Sequence, residues 1–179
     1  MKENKNISTA ITYGIIIGLI YVLILFWRWN AATNLMKFGL ITFAGFIIIL
    51  ILMFVEAYQV RKLNNGFIDL KKLFQTLFIS VLIFEFFYSL YNFIHLKYVD
   101  PEVGNRMKEG FQEIFDKVGD RLSDSDKEKM LERTGDIKKA TELPQIIKSY
   151  LSSVAITGVF ALIISAIVKK KKPVFEENI

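Results

Sequence analysis

Four long apolar blocks constrain this chain more than any other feature of its sequence. Each is close to the ~20 residues that a helix needs to cross a membrane core of ~30 Å. Strands are a poor alternative, because the strands of an outer-membrane barrel alternate apolar and polar residues and these blocks do not. The sequence therefore predicts an all-α integral membrane protein, a four-helix bundle. The expected spans are residues 11–27, 38–55, 73–94 and 150–168.

An N-terminal apolar block can also belong to a signal peptide. The block Ile11–Trp27 carries no charge and is long for the apolar part of such a peptide. Phe26, Trp27 and Trp29 are poor neighbours for a cleavage site, which needs small residues. We therefore expect this block to remain as the first span of a single membrane domain covering residues 1–179.

The composition excludes several classes of site. The chain has no cysteine and a single histidine, His95, so it can form neither a disulfide, a thiolate metal site nor a His-rich metal site. Its net charge of +5 comes largely from lysines and arginines beside the apolar blocks, which indicates membrane topology and no nucleic-acid partner. No phosphate-binding glycine loop, serine-hydrolase elbow or zinc-protease motif is present. We therefore predict no enzyme activity, no catalytic residue and no cofactor.

The placement of lysine and arginine predicts the orientation in the membrane. The short loop between the first two blocks holds only Arg28 and Lys37. The long loop of residues 95–149 has eleven Lys and Arg against twelve Asp and Glu, but the positive-inside rule weakens for long loops. We therefore expect both termini in the cytoplasm. The basic residues expected on that side are Lys2, Lys5, Arg61, Lys62, Lys71, Lys72 and the four lysines at positions 169–172.

The long loop has a helical pattern of its own. Asp100, Pro101 and Glu102 are typical of an N-cap, a first-turn proline and an acid at the positive end of a helix. Apolar residues then recur at steps of three and four, which predicts an amphipathic extramembrane helix from about Pro101 to Val118. We expect its apolar side to face the bundle, the lipid surface or a partner. The apolar positions are Val103, Met107, Phe111, Ile114, Phe115, Val118 and Leu122.

A second short helix is expected later in the same loop. Ser125–Glu128 has the pattern of a capping box, Gly135 is a candidate stop, and Pro144 marks the entry to the fourth span. The acidic residues near this helix do not match a calcium-binding loop, because the glycine of that pattern is missing. We therefore predict a capped helix junction and no metal site. The acidic residues are Asp120, Asp124, Asp126 and Glu128.

Several short motifs carry a family resemblance. They are Gly66–Asp69, Tyr91–Ile94, Asp100–Pro101, and Leu162–Ala166 followed by the lysine run and Pro173. On these motifs the chain resembles the uncharacterised four-helix inner-membrane proteins of Bacteroidota that are grouped as a domain of unknown function. The resemblance covers most of the chain. It implies a bacterial inner membrane, no established activity and no catalytic residues to transfer.

Glu85 is the most informative single residue, because it lies near the middle of the third block. A charged carboxylate at that depth costs about 2.5–3.5 kcal/mol, and no lysine or arginine lies within any of the four blocks to pair with it. We therefore expect the carboxyl to be protonated or to touch water. Ser89 and Asn92 share its helix face, and Tyr88 and His95 flank it, so these residues form a polar stripe through half of the span.

Two interpretations of the stripe remain open. In the first, Glu85 is a neutral hydrogen-bonded group that joins neighbouring helices. In the second, it is a proton or cation site. In either case its side chain should face other helices or a water-filled cavity, since hydrocarbon offers it no hydrogen-bond partner. The candidate partners are the hydroxyls of Tyr13, Tyr21, Ser153 and Thr157.

Small residues mark two faces for close helix packing. Gly14 and Gly18 form a GxxxG motif on the first span, and Gly158, Ala161 and Ser165 lie on one face of the fourth. Such faces serve packing within one bundle or dimerisation, and we favour the bundle. A separate group of residues is expected to anchor the helix ends at the membrane interfaces. These anchors are Trp27, Trp29, Lys169, Lys170, Lys171 and Lys172.

Taken together, these patterns favour a non-catalytic multi-pass membrane protein that serves as an accessory or assembly subunit. The alternative is a small transporter or channel component that uses Glu85 as a proton or cation site. We expect membrane lipid as one partner. The loop of residues 95–149 is the expected docking site for a protein partner or a second copy of the chain.

Overall fold

The computed structural model describes residues 2–118 and 123–172 of the chain. Asp120, Leu122 and Pro173, which belong to patterns described above, lie outside these residues. Four long helices dominate the described part. They are α1 (Lys2–Asn30), α2 (Leu35–Leu63), α3 (Leu70–Ile94) and α6 (Leu143–Val168).

Each of these four helices is long and apolar enough to cross a membrane, which confirms the predicted all-α fold. Every helix extends beyond the apolar block that predicted it, because its polar flanks continue the same backbone hydrogen bonding. At α6, Pro144 occupies the first turn and the helix begins seven residues before Tyr150. Proline is tolerated there because the first N–H groups of a helix have no intrahelical acceptor.

Glycines bring α1 against α3. A Cβ added at Gly14 would lie 2.8 Å from Ile83 Cβ, and one added at Gly18 would lie 2.7 Å from Phe87 Cδ2. The two helices therefore approach too closely for any larger residue, and their matching order along the chain makes them parallel. The GxxxG motif thus serves packing inside the bundle.

The remaining contacts complete a four-helix arrangement. α1 also packs against α2, α3 packs against α6, and α2 packs against α6. The face of small residues predicted for α6 packs against the neighbouring helices. Gly158 is opposite Phe78 of α3, whose Cε2 would be 3.1 Å from an added Cβ. Ala161 and Ser165 are fully buried on the same side of α6.

The two ends of the bundle differ. At the end that we call the open end, the backbone groups of Ile68 and Lys170 exchange hydrogen bonds of 2.8 and 3.0 Å. The Asn64 amide donates to Asn6 Oδ1 there, over 2.9 Å. The opposite end, which we call the capped end, carries a π-helical turn (His95–Val99) and the helices α4 (Val103–Val118) and α5 (Asp124–Lys139).

The start of α4 differs from the prediction. The Asp100 carbonyl accepts a hydrogen bond from the Val103 N–H over 3.3 Å, so Pro101 and Glu102 belong to a turn before the helix. The Asp100 carboxylate forms an ion pair with Arg106, which removes it from the capping role that the sequence suggested. Val103 and Phe115 are buried. Met107, Phe111 and Ile114 are half-buried.

The start and end predicted for α5 were both wrong. Ser123, two residues earlier than expected, is the cap: its hydroxyl accepts from the Asp126 N–H over 3.2 Å and donates to the Asp126 carboxylate over 2.7 Å. The helix then continues through Gly135 to Lys139. A single glycine costs a helix only about 1 kcal/mol relative to alanine, which is too little to end it.

Candidate functional site

Glu85 lies between α3 and α6, with only 1% of its surface exposed. Ser153 donates a hydrogen bond to its Oε2, and Thr157 donates to its Oε1 over 2.7 Å. The two hydroxyls are four residues apart and therefore share one face of α6. The expectation that Glu85 faces other helices is confirmed, and its partners are these two hydroxyls rather than those of Tyr13 and Tyr21.

A second buried carboxyl lies nearer the open end. Glu56 is 0% exposed and lies inside α2, although its position one residue after the second apolar block suggested a place at the exit of the span. Its Oε1 is hydrogen-bonded to the Ser80 hydroxyl of α3. The same hydroxyl lies 2.8 Å from the Ala10 carbonyl oxygen of α1. One carboxyl therefore connects three helices.

The geometry at Ser80 indicates which group carries the proton. A serine hydroxyl has one hydrogen, and here it lies within hydrogen-bonding distance of two acceptors, the Ala10 carbonyl and the Glu56 carboxyl. Both contacts are satisfied when Glu56 is protonated, donates to Ser80 Oγ, and Ser80 donates to Ala10. A neutral carboxyl is also the form that suits burial among apolar side chains. Its second oxygen, Oε2, has no partner among the described residues.

The capped end contains a polar cluster that joins α1 to α3. Arg28 Nη2 and Trp29 Nε1 donate to Asn92 Oδ1 over 3.0 and 2.9 Å. The His95 ring is stacked between the rings of Trp29 and Tyr91, with centroid distances of 5.7 and 5.6 Å. The predicted stripe is thus divided between two neighbours, because Glu85 bonds to α6 whereas Asn92 bonds to α1.

Arg28 has an aromatic environment. Its guanidinium carbon lies 4.6 Å from the ring centroid of Trp29, 5.4 Å from that of Phe38 and 5.9 Å from that of Tyr88. Within the described residues, no carboxylate lies within ion-pairing distance of it. Cation–π contacts and one amide oxygen therefore provide its stabilisation.

Two cavities open beside this cluster. One of about 280 Å³ is bounded by Arg28, Ser89, Asn92 and Gln145. A second of about 380 Å³ shares Tyr88, Gln145 and Ser149 with the first and reaches Ser153. Because Ser153 lines this second cavity and donates to Glu85, one hydrogen bond connects the Glu85 carboxyl to the cavity wall. In the part of the chain that the structure describes, no three His, Asp or Glu side chains are close enough to hold a metal ion.

Comparison with known proteins supplies the family. The family described as "Protein of unknown function (DUF4199)" matches residues 12–170 of the chain. The chain belongs to this family. The matched range includes all of α2 to α6 and most of α1, so α4 and α5, which together form the cap, are part of the DUF4199 region. No curated protein and no solved structure matches the chain.

The structure corrects one of the predicted anchors of this DUF4199 protein. Trp27 is 66% exposed, as an interface anchor requires, but Trp29 is only 7% exposed. Trp29 is buried because its indole N–H donates to Asn92 and its ring stacks on His95. The four lysines after Val168 are exposed at the open end.

Sequence reasoning missed Glu56 and the polar role of Arg28. A signal for Glu56 exists in the sequence, since it falls on the buried stripe of α2 at the usual steps of three and four. The signal for Arg28 is weaker. Arg28 lies three residues after Leu25 and four before Ala32, both of which are buried, and α1 continues past the apolar block to Asn30. The buried residues of α2 are Gly45, Ile49, Met53, Glu56, Ala57 and Val60.

Proposed function

We propose that this DUF4199 protein is a non-catalytic membrane subunit, with an accessory or assembly role, whose four-helix body holds the α4–α5 cap at one membrane surface. The proposal rests on the hydrogen bonds that its two buried carboxyls form with neighbouring helices. Glu85 has both oxygens bonded to hydroxyls of α6, and Glu56 is bonded to Ser80. Groups bonded in this way join helices to one another and give the body a fixed shape.

We propose that the cap provides the docking surface. Val103 and Phe115 turn inward. A Cβ added at Gly110 would lie 2.6 Å from the Thr33 carbonyl oxygen, so α4 lies close against the loop between α1 and α2. An amphipathic α4 of this kind leaves its polar side free for a protein partner or a second copy of the chain. The exposed residues on α4 include Glu109, Gln112, Glu113, Asp116 and Lys117.

Purification from the native cell tests this role. The tagged chain is cross-linked reversibly, extracted in mild detergent, and the retained proteins are quantified. We expect a defined partner that remains with Glu85→Gln and is lost with Glu113→Lys on exposed α4. Lys62→Glu at the open end is the control, because it also reverses one exposed charge. Equal retention in all three variants would contradict docking at the cap.

We also propose a location in the inner membrane of a bacterium of the Bacteroidota, with both termini in the cytoplasm. The Arg61 guanidinium donates to the Val168 carbonyl over 3.2 Å, which joins the basic ends of α2 and α6 at the open end. The positive-inside rule assigns such an end to the cytoplasm. Reporter fusions at Asn64, Lys117 and the C-terminus should report cytoplasm, periplasm and cytoplasm. A cytoplasmic signal at Lys117 would contradict the orientation.

One observation favours a second candidate, a small proton or cation carrier. The cavity that reaches Ser153 ends one hydrogen bond from Glu85, and Glu56 provides a further carboxyl nearer the open end. In a carrier, Glu85→Gln should abolish flux at unchanged expression, and Ser89 and Asn92 would line the same route.

A further inference from the structure

Buried polar atoms without partners concentrate at the capped end. Five such atoms occur among the described residues, and four of them belong to Arg28, Ser89, His95 and Arg106. The two arginine atoms are Nε–H donors and the serine hydroxyl is able to donate. Buried donors without an acceptor are rare in native proteins, where they usually indicate a bound water, ion or ligand. Among the described residues, these buried donors at the capped end therefore have no acceptor.

The charge of Arg28 points to an acceptor that is an anion. Its guanidinium is half-buried, has no carboxylate partner among the described residues, and donates to a single neutral oxygen on Asn92. A guanidinium presents five N–H donors in a planar fork that matches a phosphate or carboxylate. Arg28 is also in the last turns of a membrane-spanning helix, where lipid headgroups lie.

An apolar groove lies next to the cavity beside Arg28. The cavity of about 280 Å³ and the groove of about 450 Å³ between α3 and α6 have Ser89, Phe93 and Ile146 as common lining residues. Leu90 and Ile147 line the groove and are exposed on the surface of the spanning helices. A cavity that contains a cation and borders an apolar groove matches a molecule with an anionic head and a hydrocarbon chain.

A second cation adds to this complementarity. Lys97 also lines the groove, and its ammonium lies 5.1 Å from the ring centroid of Phe93. Lys97 therefore lies beside Phe93, which lines both the cavity and the groove. We propose that the cavity and the groove together bind one anionic phospholipid, with its phosphate at Arg28 and Ser89 and one acyl chain between α3 and α6.

Native mass spectrometry of the purified full chain in detergent tests the proposal. The chain is titrated with phosphatidylglycerol and with phosphatidylcholine of the same acyl chains. We expect one phosphatidylglycerol to bind more tightly than phosphatidylcholine. Arg28→Gln should weaken it roughly tenfold or more, the change expected from losing a hydrogen bond to a charged group. Lys37→Gln removes the same charge from an exposed position near the capped end and should leave binding unchanged.

Two further measurements complete the test. Ser89→Leu adds bulk at a residue that lines both the cavity and the groove, without altering charge. It should therefore also weaken phosphatidylglycerol binding, and it decides the question if Arg28→Gln fails to fold. Inorganic phosphate is added as a competitor to detect a site for the free anion. Equal binding of the two lipids, equal effects of Arg28→Gln and Lys37→Gln, unchanged binding in Ser89→Leu, or full displacement by stoichiometric phosphate would each overturn the proposal.

Discussion

Replacing the two buried carboxyls by leucine should have unequal effects on stability. Glu85→Leu leaves the hydroxyls of Ser153 and Thr157 without their acceptor. An unpaired buried hydroxyl costs about 1–3 kcal/mol, although each can partly recover by turning to the carbonyl four residues earlier in its helix. We therefore expect Glu85→Leu to lower the free energy of unfolding by about 2 kcal/mol.

The outcome at Glu56 should be different. After Glu56→Leu, the Ser80 hydroxyl keeps the Ala10 carbonyl as its acceptor at 2.8 Å. The substitution also removes Glu56 Oε2, a buried oxygen with no partner among the described residues. When no polar group is left unpaired, exchange for an apolar residue of similar size is close to neutral, so we expect a change below about 1 kcal/mol. Glu85→Gln should be comparably mild, because the amide still offers both an acceptor and a donor.

Thermal unfolding in detergent, followed by tryptophan fluorescence, measures these differences. For a chain of this size, 1 kcal/mol corresponds to a shift of roughly 2–4 °C, so Glu85→Leu should lower Tm by about 4–8 °C. Glu56→Leu and Glu85→Gln should remain within about 4 °C of the wild type. A loss for Glu56→Leu as large as that for Glu85→Leu would refute the hydrogen-bond assignment at Ser80. An unchanged Tm for Glu85→Leu would refute the assignment at α6.

Two further predictions concern packing. Gly18→Ala should lower Tm, since the new Cβ would lie 2.7 Å from Phe87 Cδ2, whereas Gly39→Ala, with nothing within 4 Å, should raise it slightly through helix propensity. Equal effects at the two glycines would contradict the close approach of α1 and α3. Phe111→Asp should loosen the cap, because Phe111 is half-buried and its ring stacks on Phe115 at 6.2 Å. Limited proteolysis should then cut α4 and α5 faster than in Gln112→Asp, the exposed control, and equal cleavage would contradict burial of that face.

The spanning helices were predictable because hydropathy is a property of contiguous residues. An apolar run of about 20 residues has few alternatives to a membrane helix. The inward orientation of Glu85 also followed from the sequence, since lipid offers its carboxyl no hydrogen-bond partner. The choice of Ser153 and Thr157 over two tyrosines did not follow, because it depends on which helices are neighbours and on their register.

Glu56 and Trp29 show where the sequence is insufficient. The second apolar block ends at Val55, and that boundary alone predicts Glu56 at the exit of the span, whereas α2 continues to Leu63 and buries the carboxyl. A tryptophan near a membrane interface is equally compatible with lipid and with the protein interior. Only the contacts with Asn92 and His95 distinguish Trp29 from its exposed neighbour Trp27.

Proton flux into vesicles is the most direct test of the central proposal, that the buried carboxyls join helices and do not carry ions. The wild type, Glu56→Gln and Glu85→Gln are reconstituted at equal density with an internal pH-sensitive dye, and a potassium diffusion potential is applied. We expect all three to acidify at the rate of protein-free vesicles. A wild-type flux above that rate, abolished by Glu85→Gln at equal incorporation, would contradict the scaffold role and establish a carrier.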